Sequence, residues 1–260
     1  MKQGEGGDLY IDSFPLYEEL KGSADTWNIR HYRERENIFS AWQIDASVDK
    51  LHNRVVWLDN GAFLVIEEGE AMTTIDVNSG KYTGKQHKGD TLLEVNLMAA
   101  EASMKQIKLR NLSGMILIDF INCSSGAEKD EILKRIRSFA QQDSTTTQVI
   151  GFTELGILQL TRKRTSASFK EYTTAPCPLC NGTGRVESAE SSAFRLEREI
   201  LGMRNSGRDE AVVEMTKDVL HWFTGENALH KDRLERDSGL HLAFRLADGD
   251  KPGYRIKEVK

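Results

Sequence analysis

The sequence predicts an α+β fold built on a mixed sheet with packed helices. Three observations carry that expectation. Asp59-Asn60-Gly61 is a turn signal set between two apolar runs, which reads as a hairpin. GMILIDFI, residues 114–121, is a continuous apolar run with one charge, the pattern of a strand buried on both faces. Helical apolar stripes flank that run, and strands alternate with crossing helices from about 54 to 160, as in a sheet with helices packed on it.

The elements follow in chain order. Residues 1–50 open on GEGGDLYIDSFPLYEEL, which has no helical or strand period, and continue with helix signals over 25–47 anchored by Phe39, Trp42 and Ile44. They read as an extension, or as the tail of an upstream segment. A main body is expected over 51–168. Its hairpin is followed by a break at Glu68-Gly69, a strand ending near Val77 and a polar loop over 81–90. Thr91 and Glu94 have capping-box spacing, with Asp90 a rival cap. Leu93, Leu97, Ala100, Met104 and Ile107 then form one helical stripe. After the 114–121 strand come a helix over 127–141, with Ile132, Leu133, Ile136 and Phe139 inward, and a strand at TQVIGF, 147–152. Residues 169–186 contain the stretch CPLCNGTG. Residues 187–260 form a small C-terminal α/β domain opened by a helix with Ser191 or Ser192 as its cap.

Composition excludes several classes. The chain has 260 residues, with 40 acidic against 35 basic side chains and a net charge of −5, which is not the electrostatic footprint of a free-standing nucleic-acid binder. No apolar run approaches the length of about 20 residues that a membrane span needs, and no signal peptide is evident. Three cysteines argue against a disulfide framework and for a reducing, cytoplasmic compartment.

Two carboxylates sit in apolar strands, where an unpaired charge is costly. Asp76 in TIDVNSG reads either as a turn-former before Asn78-Ser79-Gly80 or as a metal ligand. Asp119 in ILIDFIN reads either as half of an ion pair or as a ligand. If the two strands are neighbours, the carboxylates converge at the sheet edge with Asn78 close by. Two acids and an amide oxygen suit Mg²⁺, which commonly takes one or two carboxylates, waters and a substrate phosphate.

Cys177 and Cys180 form a C-x-x-C knuckle followed by Gly182 and Gly184. A redox pair, a folding-module zinc site of the C-x-x-C-x-G-x-G kind and half of a four-ligand zinc site all remain open from spacing alone. Cys123 follows the apolar strand and reads as a small core residue. Two basic clusters, Lys105, Lys108 and Arg110, then Arg162, Lys163 and Arg164, are each either a solvated face or a phosphate contact. No aromatic platform for stacking bases is evident.

EAMTTIDVNSGK, NLMAAEASMKQIKLRNLSGMILIDFI, LGILQLTRKRTSASFKE and CPLCNGTG, in this order, resemble the catalytic region of the ribonuclease E/G family over about 54–186. That resemblance implies a deoxyribonuclease-I-like catalytic subdomain and a Mg²⁺-dependent endoribonuclease that hydrolyses single-stranded RNA and leaves 5′-phosphates. It assigns Mg²⁺ to Asp76 and Asp119, with Asn78 supporting the centre. It favours RNA contact for Arg162, Lys163 and Arg164, with Lys108 and Arg110 as further candidates. It also implies a structural Zn²⁺ held by Cys177 and Cys180 of two chains, hence a homodimer or a dimer of dimers, and no DNA partner. Two departures are present: Asn122 stands where the family has a further Asp, and Glu154 where it often has a basic residue. The family's N-terminal RNA-binding and 5′-end-sensing regions are not among these residues, so the chain reads as a C-terminal fragment or a shortened relative. A weakly active, zinc-linked scaffold fragment is the alternative function.

Overall fold

The computed structural model describes residues 6–22, 26–80, 88–123, 125–204, 207–225 and 229–259. The chain divides into two compact units, Met1–Thr174 and Ala175–Lys260.

The first unit opens with β1 (Gly7–Ile11), α1 (Phe14–Leu20) and β2 (Trp27–His31), and the two strands pair in parallel. Pro15 sits in the first turn of α1, where a missing N–H costs nothing. The aperiodic opening and the helical signal expected over 25–47 are therefore corrected in part: strands occupy 7–11 and 27–31. Five-residue strands are too short to show a period. Helix returns in α2 (Ile38–Ala41), capped by Asn37 accepting from the Phe39 N–H at 2.8 Å, and in α3 (Ile44–Leu51). Phe39, Trp42 and Ile44 are exposed, and Trp42 instead packs on the rings of Tyr10 and Tyr32.

The sheet that carries the site follows. Its elements are β3 (Val55–Trp57), β4 (Phe63–Glu68), β5 (Met72–Asn78), α4 (Lys88–Leu109), β6 (Gly114–Asp119), α5 (Gly126–Gln141), β7 (Thr147–Phe152) and β8 (Ile157–Arg162), with α6 (Phe169–Thr173) closing the unit. The strand order among the described residues is β3-β4-β5-β6-β8-β7. Only β5 and β6 pair in parallel; every other neighbour is antiparallel. The β3–β4 hairpin forms as the turn signal requires, with Gly61 at φ 85° and the Asn60 carboxamide accepting from the Ala62 N–H at 3.0 Å.

One face of this sheet is the core. Leu64, Ile66, Ile75, Val77, Ile116, Ile118, Leu158 and Leu160 are buried together with Ala100, Met104 and Ile107 of α4 and Ile132 and Ile136 of α5. Each fully buried aliphatic side chain contributes about 1.5–3 kcal/mol of hydrophobic stabilisation. The opposite face is open, so the 114–121 run is not buried on both faces as its composition predicts. Ile116 and Ile118 point inward while Met115 and Asp119 are exposed. The loop expected over 81–90 falls largely outside the described residues, and α4 already includes 88–90. Thr91 therefore lies inside the helix rather than at its cap, and its side chain is outside the described residues. A capping box does occur at α5, where Ser125 and Glu128 exchange side-chain and backbone bonds.

The second unit contains α7 (Ala189–Gly202), β9 (Glu210–Met215), α8 (Lys217–Thr224), α9 (Leu229–Ser238), β10 (His241–Leu246) and β11 (Tyr254–Val259). Its sheet has the order β10-β9-β11, with β10 parallel and β11 antiparallel to β9. Leu196, Ile200, Val213, Phe223, Leu234 and Leu242 fill its core. Ser188, not Ser191 or Ser192, caps α7, accepting from the Ser191 N–H at 3.1 Å. No described helix is long and apolar enough to cross a membrane.

Candidate functional site

Asp76 and Asp119 are brought together by the one parallel pairing of the main sheet. They are register partners on β5 and β6, so their side chains leave the same face on adjacent strands. Both lie toward the C-terminal ends of their strands, the edge at which open α/β sheets bind ligands. Neither carboxylate is buried: the face they occupy is the open one. The expectation of costly buried charges is thus corrected, because strand alternation points these positions away from the core.

The neighbouring residues hold the pair in place. Asn78, two residues beyond Asp76 on the same face, donates its Nδ2 hydrogen to Asp76 Oδ2 at 2.8 Å. Gly80 ends this segment at φ 58°, and a Cβ there would collide with the Gly61 carbonyl. Beyond Asp119, the chain turns through Asn122 at φ 40°. That turn is pinned from α4 by the buried Asn96, whose Nδ2 donates to the Ile121 carbonyl at 2.8 Å while its Oδ1 accepts from the Ile121 N–H at 3.0 Å. Asn96 was not among the sequence candidates. The signal that could have found it is an amide between Leu93, Leu97 and Ala100 on an apolar stripe.

A cleft of about 420 Å³ opens over this edge, lined by Asp76, Asp119, Ile121, Asn122, Leu155 and Gly156 among others. Asn122 therefore faces the site without adding charge. Glu154 is exposed beside the cleft in the β7–β8 turn. Among the described residues no group of three or more His, Cys, Asp or Glu side chains gathers to hold a metal. The donor set at the sheet edge fits a hard divalent cation nonetheless, since Mg²⁺ keeps several waters and needs only one or two carboxylates beside a substrate phosphate.

The basic clusters divide. Lys108 and Lys163 are exposed, and Arg164 is exposed but ion-paired with Glu171 at 2.7 Å. Arg110 and Arg162 are corrected as candidate RNA contacts. Arg110 is buried, with Nε donating to Gln106 Oε1 at 2.8 Å and Nη2 to the Asn53 carbonyl at 2.9 Å. Arg162 occupies the core-facing parity of β8 after Leu158 and Leu160. Its guanidinium pairs with Asp143 at 2.7 Å and reaches the Asn111 side chain and the Leu112 carbonyl.

The knuckle lies in the second unit. Asn181, Gly182 and Gly184 adopt φ values of 50°, 86° and 71°, curling backbone N–H groups toward sulfur. The Gly184 N–H donates to Cys180 Sγ at 3.3 Å. That bond, then one from the Gly182 N–H, holds the Cys180 thiol below its ordinary pKa, which favours the thiolate a zinc ion takes. Cys123 is buried in the first unit's core, and burial pushes its thiol pKa up.

An α+β scaffold with an open sheet face and paired in-register carboxylates at its edge defines a class: a sheet-edge acid pair suited to a divalent cation. Comparison with known proteins narrows it. Residues 7–165 match the Ribonuclease E/G family, and this chain belongs to that family. It is 32% identical to Ribonuclease G of Escherichia coli over 227 residues, 85% of this chain and 46% of that protein. It is 35% identical to Ribonuclease G of Haemophilus influenzae over 199 residues, 74% of this chain and 40% of the relative. With Ribonuclease E of Haemophilus influenzae it shares 32% identity over 219 residues, 82% of this chain and 23% of the relative. The chain thus spans less than half the length of these curated relatives.

Proposed function

We propose that this chain is the catalytic part of a Mg²⁺-dependent endoribonuclease that hydrolyses single-stranded RNA in RNA processing and leaves 5′-phosphate products. The observation that carries the proposal is the registered pair Asp76 and Asp119, with Asn78 bonded to Asp76. Family membership supports the reaction class, and the sequence resemblance implies a deoxyribonuclease-I-like character for the catalytic body. A divalent ion bound there supplies an activated water and neutralises charge developing on the phosphate.

The protein's own residues have separate tasks in this reading. Asp76 and Asp119 supply two negative charges at one strand-pair end and fix where a cation and the scissile phosphate meet. Asn78 orients the Asp76 carboxylate. Asn96 fixes the backbone beyond Asp119, so that the second carboxylate cannot drift from the first. Lys108 and Lys163, like Lys105, are exposed cations of the two basic clusters without a salt bridge among the described residues, and Lys108 and Lys163 meet the RNA backbone. Cys177 and Cys180 supply two of the four thiolates of a Zn²⁺ shared by two chains, giving a dimer in the cytoplasm.

The test is cleavage of a single-stranded RNA with Mg²⁺ by the wild type and by Asp119→Asn. The expected loss in the variant is at least about a hundredfold, which corresponds to about 3 kcal/mol of transition-state charge stabilisation. Equal cleavage by both proteins removes Asp119 from the mechanism. No cleavage by either leaves the scaffold reading in its place.

A further inference from the structure

The open face of the first unit's sheet carries an aromatic pair beside the acid pair. Trp57 on the edge strand β3 keeps 68% of its surface in solvent, more than any other tryptophan of the chain. Its ring lies 4.9 Å from that of Phe63 on β4, centroid to centroid, tilted by 49°. Trp57 is the register partner of Phe63, and Phe63 is the register partner of Asn78. Asn78 in turn donates to Asp76. Tryptophan, phenylalanine, amide and carboxylate therefore share one sheet face, with Trp57 two strand spacings, about 10 Å, from the strand of Asn78.

We propose that Trp57 and Phe63 form a stacking platform for unpaired bases of the RNA strand whose phosphate is held at Asp76 and Asp119. The proposal rests on the nuclease reading above and adds the side of the site from which the strand is gripped. Aromatic faces stack any base, so such a platform holds single strands without reading their sequence. A duplex keeps its bases stacked on one another and offers this pair nothing. The net charge of −5 limits what long-range attraction contributes, which gives a non-ionic contact beside the acid pair a larger share of the grip. Continuity with the acid pair through Asn78 favours RNA over a protein occupant of the same two rings.

The experiment measures binding of a short labelled single-stranded RNA by fluorescence anisotropy, in an Asp119→Asn background that keeps the strand intact. Trp57→Ala is expected to weaken binding about fivefold or more, the effect of truncating one stacking residue, and Trp57→Phe to retain most of it. An RNA carrying one abasic position over the platform should bind the Trp57 protein more weakly than intact RNA, yet bind the Trp57→Ala protein as intact RNA does. Equal affinity of Trp57 and Trp57→Ala proteins overturns the platform while leaving the nuclease reading standing. No binding by either overturns both. Unchanged RNA affinity with a dimer-to-monomer shift in sedimentation assigns the pair to a second copy and overturns the proposal. Cleavage by Asp119→Asn as fast as by wild type, with the platform effect intact, removes Asp119 from the mechanism and leaves the single-strand contact. Trp57 is exposed, so unchanged thermal unfolding should separate these outcomes from loss of fold.

Discussion

Replacing Asp143 by Ala should cost the first unit about 3–5 kcal/mol, the range for a buried ion pair left with one member. Asp143 and Arg162 each expose 4% of their side-chain surface. Arg162 donates from Nε to Asp143 Oδ2 at 2.7 Å, from Nη2 to Asp143 Oδ1 at 3.4 Å, and from Nη1 to Asn111 and Leu112 at 2.8 and 3.1 Å. The substitution removes two of these four bonds and all of the countercharge. It also strips an acceptor from the Thr145 N–H and from the Thr147 hydroxyl. Urea unfolding reads the loss, in a Trp222→Phe background so that fluorescence reports only the first unit. With a slope of about 2 kcal/mol per molar urea, the midpoint should fall by about 2 M. Replacing both partners with apolar residues of similar volume should recover much of the loss, since no charge is then stranded. A shift below about 0.5 M for Asp143→Ala, by the same slope, would refute the reasoning. The pH dependence has a definite sign. Burial alone would raise the Asp143 pKa, but the Arg162 side-chain bond and the Thr145 and Thr147 bonds outweigh it and leave the pKa lowered. The pair's contribution is therefore present above the unfolded carboxyl value of about 3.9 and is lost as pH falls through the lowered folded value. The gap between wild type and variant should narrow below about pH 4.

Two further predictions concern the site and the knuckle. Asn96→Leu should cost about 1–3 kcal/mol by stranding the Ile121 N–H and carbonyl, and should lower Mg²⁺-dependent cleavage more than substrate affinity; unchanged turnover with lowered stability would reduce Asn96 to a structural role. Cys177→Ser should release zinc and give monomers in sedimentation, and wild-type dimers should weaken in chelator or acid as the thiolates protonate; a dimer unchanged by the substitution contradicts the shared-ligand reading.

Much of the main body was legible because its signals were local. The Asp59-Asn60-Gly61 turn, the α5 stripe of Ile132 and Ile136, and the strand at 147–152 all follow from short-range pattern. What was not legible depends on which strands pair. The apolar run around Asp119 has the composition of a two-sided buried strand, and only the one-sided placement of α4 and α5 leaves Met115 and Asp119 open. The adjacency of Asp76 and Asp119 is a fact of register, which no periodicity contains. The inward position of Arg162 is readable in the sequence: LQLTR alternates, and its parity with Leu158 and Leu160 places the guanidinium inward. Trp57 and Phe63 look like ordinary hairpin core residues until the sheet is seen to have an uncovered face.

The central claim is that Asp76 and Asp119 jointly bind a divalent cation, and Mn²⁺ binding followed by electron paramagnetic resonance tests it most directly. The account predicts a Mn²⁺ site in the wild type that Mg²⁺ displaces and that Asp76→Asn with Asp119→Asn abolishes, in a protein whose thermal unfolding is otherwise unchanged. Equal, Mg²⁺-displaceable Mn²⁺ binding by the wild type and the double variant would contradict it.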